Sequence, residues 1–146
     1  MQIERHFQIS DAQVALIFPA GVLGYLIATM TVRVIEVHGG RRAIAVVAAI
    51  LRLLAAMTLS LKPPFSIVLA SYAFFGYGTG VTDTAWNTWA GGMRHANVVQ
   101  GILHGSFAGG CIFGPLVSAA VLESYAWATF YEILVSLDSS WRVPDI

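Results

Sequence analysis

Two stretches of this chain, residues 14–32 and 98–122, contain no Asp, Glu, Lys or Arg and are apolar or small around the whole helical circumference. A spanning helix needs about 20 mostly apolar residues, because the hydrocarbon core of a bilayer is about 30 Å thick. A helix on the surface of a soluble protein has one apolar stripe and a polar face instead. These stretches therefore predict membrane spans rather than helices of a soluble core.

The composition supports a membrane protein and excludes two other classes. Of the 146 residues, 57% are hydrophobic and only 11% are charged, against about 25% in an average soluble domain. Such a chain is too apolar to be disordered. Eight basic side chains balance eight acidic ones, so no basic surplus exists to bind nucleic acid through its phosphates. The single Cys111 excludes an internal disulfide framework.

Three further segments bring the predicted number of spans to about five. The second span is interrupted by Arg52 and ends before Pro63 and Pro64, which cannot continue a helix. The third span contains Asp83, and the fifth is short. The sequence therefore predicts an all-α fold, a polytopic transmembrane helix bundle. The predicted spans are residues 14–32, 43–61, 65–90, 98–122 and 125–137.

The bundle, residues 14–137, is flanked by two polar segments. Residues 1–13 are a predicted extramembrane lead-in, and either Ser10 or Asp11 is the expected N-cap of the first helix. Residues 138–146 form a polar C-terminal tail.

The positive charges in the short loops predict the orientation of the chain. Cytoplasmic loops of membrane proteins carry an excess of Lys and Arg. Alternating spans put five arginines on one side, against Arg5 and Lys62 on the other. We therefore expect the loops at residues 33–42 and 91–97 to be cytoplasmic. The N-terminus is then expected outside, which indicates a further helix before residue 1.

Glycines recur every four residues in the fourth predicted span. Such spacing places small residues on one helix face, where another helix can approach closely in lipid. Pro115 removes a backbone donor there and is expected to bend the helix. Two interpretations stay open: the glycines only pack the bundle, or close contacts and bends let the helices rock. The predicted packing and hinge residues are Gly101, Gly105, Gly109, Gly114 and Pro115, and Gly76 and Gly80 offer a similar face.

The third span carries a polar group of residues suited to a small hydrophilic solute. Asp83 and Asn87 are four residues apart, so both project from one face of a helix, and Trp86 is nearby. The carboxylate and the amide can bind sugar hydroxyls, and the indole can stack on the apolar face of a sugar. Asp83 is also a candidate proton carrier. The alternative is that Asp83 pairs with a neighbour for structural reasons only.

Two further polar residues lie within spans. His104 is a candidate to titrate or to donate a hydrogen bond to substrate, and equally a candidate for a structural interhelical hydrogen bond. Arg52 lies near the middle of the second span, where an unpaired guanidinium is costly. We expect it to meet either a carboxylate, Asp83 or Glu132, or a water-filled cavity.

The chain shows no catalytic constellation. It contains no HExxH, GxSxG or P-loop pattern, and no two histidines have a metal-ligand spacing. The sequence therefore predicts no enzyme, no metal site and no cofactor.

Two runs of residues resemble a known family. The run G-Y-G-T-G-V-T-D-T-A-W-N-T-W at residues 76–89 resembles the fourth helix of sugar-type major facilitator transporters, in which an acidic residue is followed at the fourth step by Asn. The run L-H-G-S-F-A-G-G-C-I-F-G-P-L at residues 103–116 resembles the fifth helix of the same family. Residues 7–18 and 127–131 resemble the starts of helices two and six. The closest resemblance is to the fucose:proton symporters and their fungal relatives.

The resemblance implies that the chain is a fragment of the N-terminal half, helices two to six of a twelve-helix fold. By the same likeness, Asp83 corresponds to the acidic residue of proton coupling. Asn87 corresponds to a substrate-side polar group, and His104 corresponds to a cavity-facing position of helix five.

The family's cytoplasmic loop motif, G-x-x-x-D-R/K-x-G-R/K-R/K, is only partly present. Gly40, Arg41 and Arg42 match its end. Val37 and His38 stand where the motif has its Asp and its basic residue. The charge relay that the motif provides in the family is therefore incomplete.

The sequence thus predicts a transporter fragment whose parent activity is proton-coupled or facilitated transport of a sugar or other small polar solute. Its expected partners are the lipid bilayer, the solute and a proton. Two alternatives remain: a non-transporting membrane protein that assembles with itself or a partner through helix–helix association, and a truncated gene-model fragment without function. No targeting motif assigns the chain to the plasma membrane or an internal membrane.

Overall fold

The computed structural model describes residues 2–124, 129, 131–133, 135 and 136. These residues are helical apart from short turns and connecting segments, and they include no strand. This confirms the all-α class. The elements are α1 (Gln2–Phe7), α2 (Asp11–Ala15), α3 (Ile17–Ser60), α4 (Phe65–Gly91) and α5 (Ala96–Ser124).

Helix α3 contains two predicted spans joined at one residue. Gly40 has φ 66° and ψ −170°, a conformation that residues other than glycine rarely adopt. We call residues 17–39 and 41–60 the first and second arms of α3. The prediction of a loop at residues 33–42 was wrong, because both arms stay helical up to Gly40. The polar residues there extend the helices beyond the apolar segments. One residue with positive φ, Gly40, is enough to reverse the direction of the chain.

Two buried clusters show that the arms run antiparallel. Near Gly40, Val32 of the first arm packs with Ile44 of the second, together with α4. At the far end, Ile17 packs with Leu59. Helix α4 contributes Val81 to the first cluster and therefore lies against both arms. Antiparallel arms with α4 across them form a three-segment bundle.

Close contacts between glycines hold the first arm against α4. A Cβ added to Gly24 would lie 2.9 Å from the backbone nitrogen of Tyr77. One added to Gly80 would lie 2.8 Å from the carbonyl oxygen of Tyr25. Side chains at these positions would force the helices apart. The small residues therefore allow the backbone approach that stabilises helix pairs in lipid.

The helix boundaries follow local sequence signals. Ser10 is the N-cap of α2 in a capping box, in which the Gln13 N–H donates to Ser10 Oγ and the Ser10 N–H donates to Gln13 Oε1. This decides between the two predicted caps. Helix α3 ends at Ser60, and α4 begins directly after Pro64, as the paired prolines predict.

Three helical stretches among the described residues are long and apolar enough to cross a membrane: Asp11–Ser60, Phe65–Gly91 and Ala96–Glu123. Because α3 folds at Gly40, the first stretch provides two membrane-length segments. Large apolar side chains such as Phe18 and Met30 are 76% and 79% exposed, as expected of a surface that faces lipid. Four of the five predicted spans are therefore present.

The fifth predicted span lies largely outside the described residues. The described residues 129, 131–133, 135 and 136 are helical. The hydroxyl of Tyr131 makes a hydrogen bond with the hydroxyl of Tyr72 in α4. The predicted tail, residues 138–146, lies outside the described residues altogether.

Helix α5 contacts the rest of the described structure mainly at its start. Gln100 Nε2 donates to the carbonyl oxygen of Asn87 near the end of α4, at 3.1 Å. A Cβ added to any of the glycines of α5 would have, apart from its own helix backbone, no atom of the described residues within 4 Å. The predicted packing role of Gly101, Gly105, Gly109, Gly114 and Pro115 therefore stays a prediction, and the closest glycine contacts between helices of the described structure are those between α3 and α4.

The pair Gly21 and Gly76 provides an asymmetric test of the helix contact. A Cβ on Gly76 would lie 2.8 Å from the carbonyl carbon of Gly21, whereas a Cβ on Gly21 would lie 3.8 Å from its nearest neighbour, the carbonyl oxygen of Tyr72. We expect Gly76→Ala to lower the free energy of unfolding by about 1–3 kcal/mol, the usual cost of overpacking. Gly21→Ala is expected to leave it unchanged or slightly raised. Unfolding by SDS in mixed micelles measures both. Equal losses of unfolding free energy in the two variants would contradict this asymmetric contact between the helices.

Candidate functional site

A cleft of about 830 Å³ lies between the two arms of α3 and the second half of α4, next to the fold at Gly40. Four arginines and one glutamate line it, so its charge is predominantly positive. Its other lining residues are threonines, tryptophans and small or aliphatic side chains. The charged lining residues are Arg33, Glu36, Arg41, Arg42 and Arg52.

The cleft has a charged rim and a deeper floor. We call Arg33, Glu36, Arg41, Arg42 and Trp89 the rim, since they lie near the ends of their helices beside Gly40. The floor consists of Arg52 and Thr82. Arg52 follows Arg42 by ten residues on the same arm, which at about 1.5 Å per residue separates their Cα atoms by about 15 Å. The cleft therefore extends from the membrane surface inward.

The side chain of Arg52, at the floor of the cleft, passes α4 next to a glycine. A Cβ on Gly78 would lie 2.9 Å from Cγ of Arg52. Arg52 Nε donates to the carbonyl oxygen of Ala48 at 3.3 Å, and the side chain interacts electrostatically with Asp83. Of its two expected surroundings, Arg52 therefore has the cavity, and within the described residues it forms no direct ion pair with Asp83 or Glu132.

The α4 wall of the cleft combines hydroxyls with indoles. The rings of Trp86 and Trp89 meet edge to face, with centroids 5.3 Å apart. The hydroxyl of Thr82 donates to the carbonyl oxygen of Gly78, and that of Thr88 donates to that of Thr84. Each hydroxyl oxygen can still accept a hydrogen bond from a solute. The wall therefore offers acceptors and aromatic faces together.

Asp83 and Asn87 are adjacent to this cleft without lining it. Asn87 Nδ2 donates to the backbone carbonyl of Asp83 at 2.8 Å, so the amide is bound to its own helix. Asp83 is half-buried. Its connection to the cleft is the electrostatic interaction with Arg52.

His104 is an exposed residue of α5 and does not line the cleft. Of the four predicted solute and proton residues, Trp86 therefore lies in the cleft, Asp83 interacts with its floor, and Asn87 and His104 lie outside it. Their functional roles stay predictions.

Of the predicted loop motif, Arg41 and Arg42 line the cleft and Gly40 provides the fold beside it. The sequence patterns did not reveal the contribution of Arg33, Glu36 and Trp89 to the cleft. Arg33 and Glu36 form an ion pair of 3.6 Å one helical turn apart, and Trp89 follows Trp86 by three residues. Continuing the helical periodicity through the polar segment would have placed these residues on shared faces.

Within the described part of the chain, no three His, Cys, Asp or Glu side chains are grouped to hold a metal ion. The polar groups that line the cleft are guanidinium, carboxylate, hydroxyl and indole groups.

A sequence model of the Major Facilitator Superfamily matches residues 1–137, most of the chain. The chain belongs to this superfamily. The family's members are transporters, and the membrane-length helices agree with an integral membrane protein.

A similar protein is "Bypass of stop codon protein 6" of Saccharomyces cerevisiae, which is 25% identical over 130 residues. The match covers 88% of this chain and 26% of the yeast protein, so this superfamily member spans about a quarter of the length of that relative. No solved structure matches the chain.

Electrostatic coupling between Arg52 and Asp83 is testable in a double-mutant cycle. We expect Arg52→Met and Asp83→Asn each to destabilise the chain. The double variant should lose less free energy of unfolding than the two single variants together. We expect a difference of about 0.5–1 kcal/mol, which is small because the pair is partly exposed. SDS unfolding in mixed micelles gives the three values. Arg52→Met combined with Glu123→Gln is the control and should be additive. Additivity in the Asp83 cycle would contradict the coupling.

Proposed function

We propose that this chain forms part of a transporter for a small polar solute of the sugar class, and that movement of the solute is coupled to a proton at Asp83. The observation that carries the proposal is the cleft, which holds Arg52 at its floor between membrane-length helices, with Asp83 on the neighbouring helix α4. Ionisable groups within membrane spans usually face solute or ion pathways. Membership of the superfamily supports the same activity.

The lining of the cleft supports a solute rich in hydroxyl groups. A sugar presents hydroxyl donors and acceptors at its edges and apolar C–H faces. The oxygens of Thr82 and Thr88 can accept its hydrogen bonds, and the guanidinium of Arg52 can donate to them. Trp86 offers a ring on which a sugar face can stack.

The proximity of Asp83 and Arg52 supports proton coupling by a charge switch. With Asp83 ionised, its negative charge attracts the guanidinium of Arg52 at a longer range than a direct ion pair. Protonation of Asp83 removes this attraction and leaves Arg52 available to the solute in the cleft. Proton and solute then stabilise the same conformation, which is the requirement for coupled movement.

A second candidate function, helix–helix association without transport, is favoured by one observation. A methyl group added to any glycine of α5 would have no atom of the described structure within 4 Å, while the four-residue spacing of these glycines is typical of membrane helix interfaces. In this case the chain would assemble with itself or with another membrane protein through α5.

Sugar-driven proton flux distinguishes the two functions. The purified chain is reconstituted into liposomes that enclose a pH-sensitive dye, and a panel of hexoses and pentoses is added outside. We expect at least one sugar to acidify the lumen, because solute and proton enter together. Asp83→Asn should abolish the acidification, since an amide carries no proton.

The matched control is Glu123→Gln, which removes an exposed carboxylate at the end of α5 and should retain the wild-type rate. Acidification that survives in Asp83→Asn would contradict the assigned coupling residue. Absence of flux with every sugar, together with concentration-dependent association in detergent, would support the second function.

A further inference from the structure

We propose that the rim of the cleft binds the headgroup of an anionic phospholipid. The rim carries Arg33, Arg41 and Arg42, against the single carboxylate of Glu36. Glu36 is already paired with Arg33. Arg41 and Arg42 make no ion pair within the described part of the chain, so both retain their full capacity to bind an anion. The inference does not depend on the proposed transport activity.

The depth of the rim matches the position of lipid phosphates. Arg33 follows directly on the uncharged segment 14–32, and Arg41 and Arg42 precede the apolar residues of the second arm. Such positions coincide with the boundary between headgroups and hydrocarbon. Trp89 lies at the same level and contributes its indole to the cleft, as tryptophans do in the aromatic belts of membrane proteins.

The walls below the rim suit acyl chains rather than a fully soluble anion. Ala45 and Ala85 line the cleft beneath the arginines, both keep accessible apolar surface, and the cleft is partly open. A phospholipid can therefore place its phosphate between Arg41 and Arg42 while its chains lie along these apolar side chains. Basic pockets between membrane helices on the cytoplasmic side bind anionic headgroups in this manner.

General attraction of basic residues to an anionic surface is the alternative that a test must exclude. Arg94 provides the control, since it is exposed in the turn after α4, on the same side of the bundle, and does not line the cleft. A site requires Arg41 and Arg42 specifically, whereas surface attraction treats all three arginines alike.

Native mass spectrometry of the detergent-solubilised chain tests the proposal with dioleoyl phosphatidic acid as the probe. We expect saturable binding of the probe and much weaker binding of dioleoyl phosphatidylcholine. Arg41→Ala and Arg42→Ala should each weaken binding about fivefold, and the double variant roughly 25-fold, the effect typical of a basic residue near an anionic lipid. Arg94→Ala should change binding less than about twofold.

Two further measurements complete the test. Arg41→Lys combined with Arg42→Lys retains both charges and should bind the lipid within about threefold of wild type, which separates loss of charge from loss of fold. Glycerol 3-phosphate, the soluble headgroup, should not displace the lipid at equal concentration. Equal losses in Arg94→Ala and Arg41→Ala, equal binding of the two lipids, or displacement by glycerol 3-phosphate would each overturn the proposal.

Discussion

The close approach of α3 and α4 at their glycines is the contact on which the rest of the structure depends. In lipid, no hydrophobic driving force brings helices together, so close backbone approach and van der Waals contact must hold them in place. Gly24, Gly76 and Gly80 allow this proximity along the first arm. Gly78 does the same for the second arm and lets Arg52 cross α4. The glycines thus stabilise the bundle, and Gly78 also leaves the space in which the charged side chain of Arg52 reaches the floor of the cleft.

The sequence predicted the helices well, because length and apolar content are enough to identify a span. It also placed the cap at Ser10 and the break at Pro63 and Pro64 through local rules. It was wrong at residues 33–42, where polarity was interpreted as a loop. Where a helix leaves the membrane, its polar residues can remain helical in water. Polarity there shows where the helix leaves the hydrocarbon, and it does not show where the helix ends. The reversal needed only Gly40, whose positive φ is a local property that composition does not reveal.

The candidate site was less predictable for a different reason. Spacing of four residues places Asp83 and Asn87 on one face of α4, but only tertiary packing decides what that face meets. The structure puts Trp86 in the cleft and leaves Asn87 bound to its own backbone. The same holds for glycines: their spacing suggested α5 most strongly, while the closest contacts involve α4. Patterns along one helix identify faces, and their partners emerge only from the arrangement of all the helices.

The rim and the floor of the cleft use the same side chain, arginine, under different physical conditions. At the rim, Arg41 and Arg42 are exposed, so dissolved salt screens their field and they act on ligands that arrive from the membrane surface. At the floor, Arg52 is half-buried beside Asp83, where screening is weaker and a change of protonation alters its surroundings directly. Salt should therefore weaken a ligand held by the rim while changing the Arg52–Asp83 interaction much less. In the roles proposed above, the cleft would respond to the membrane at its rim and to a proton at its floor, because the two groups of charges lie about 15 Å apart along one helix.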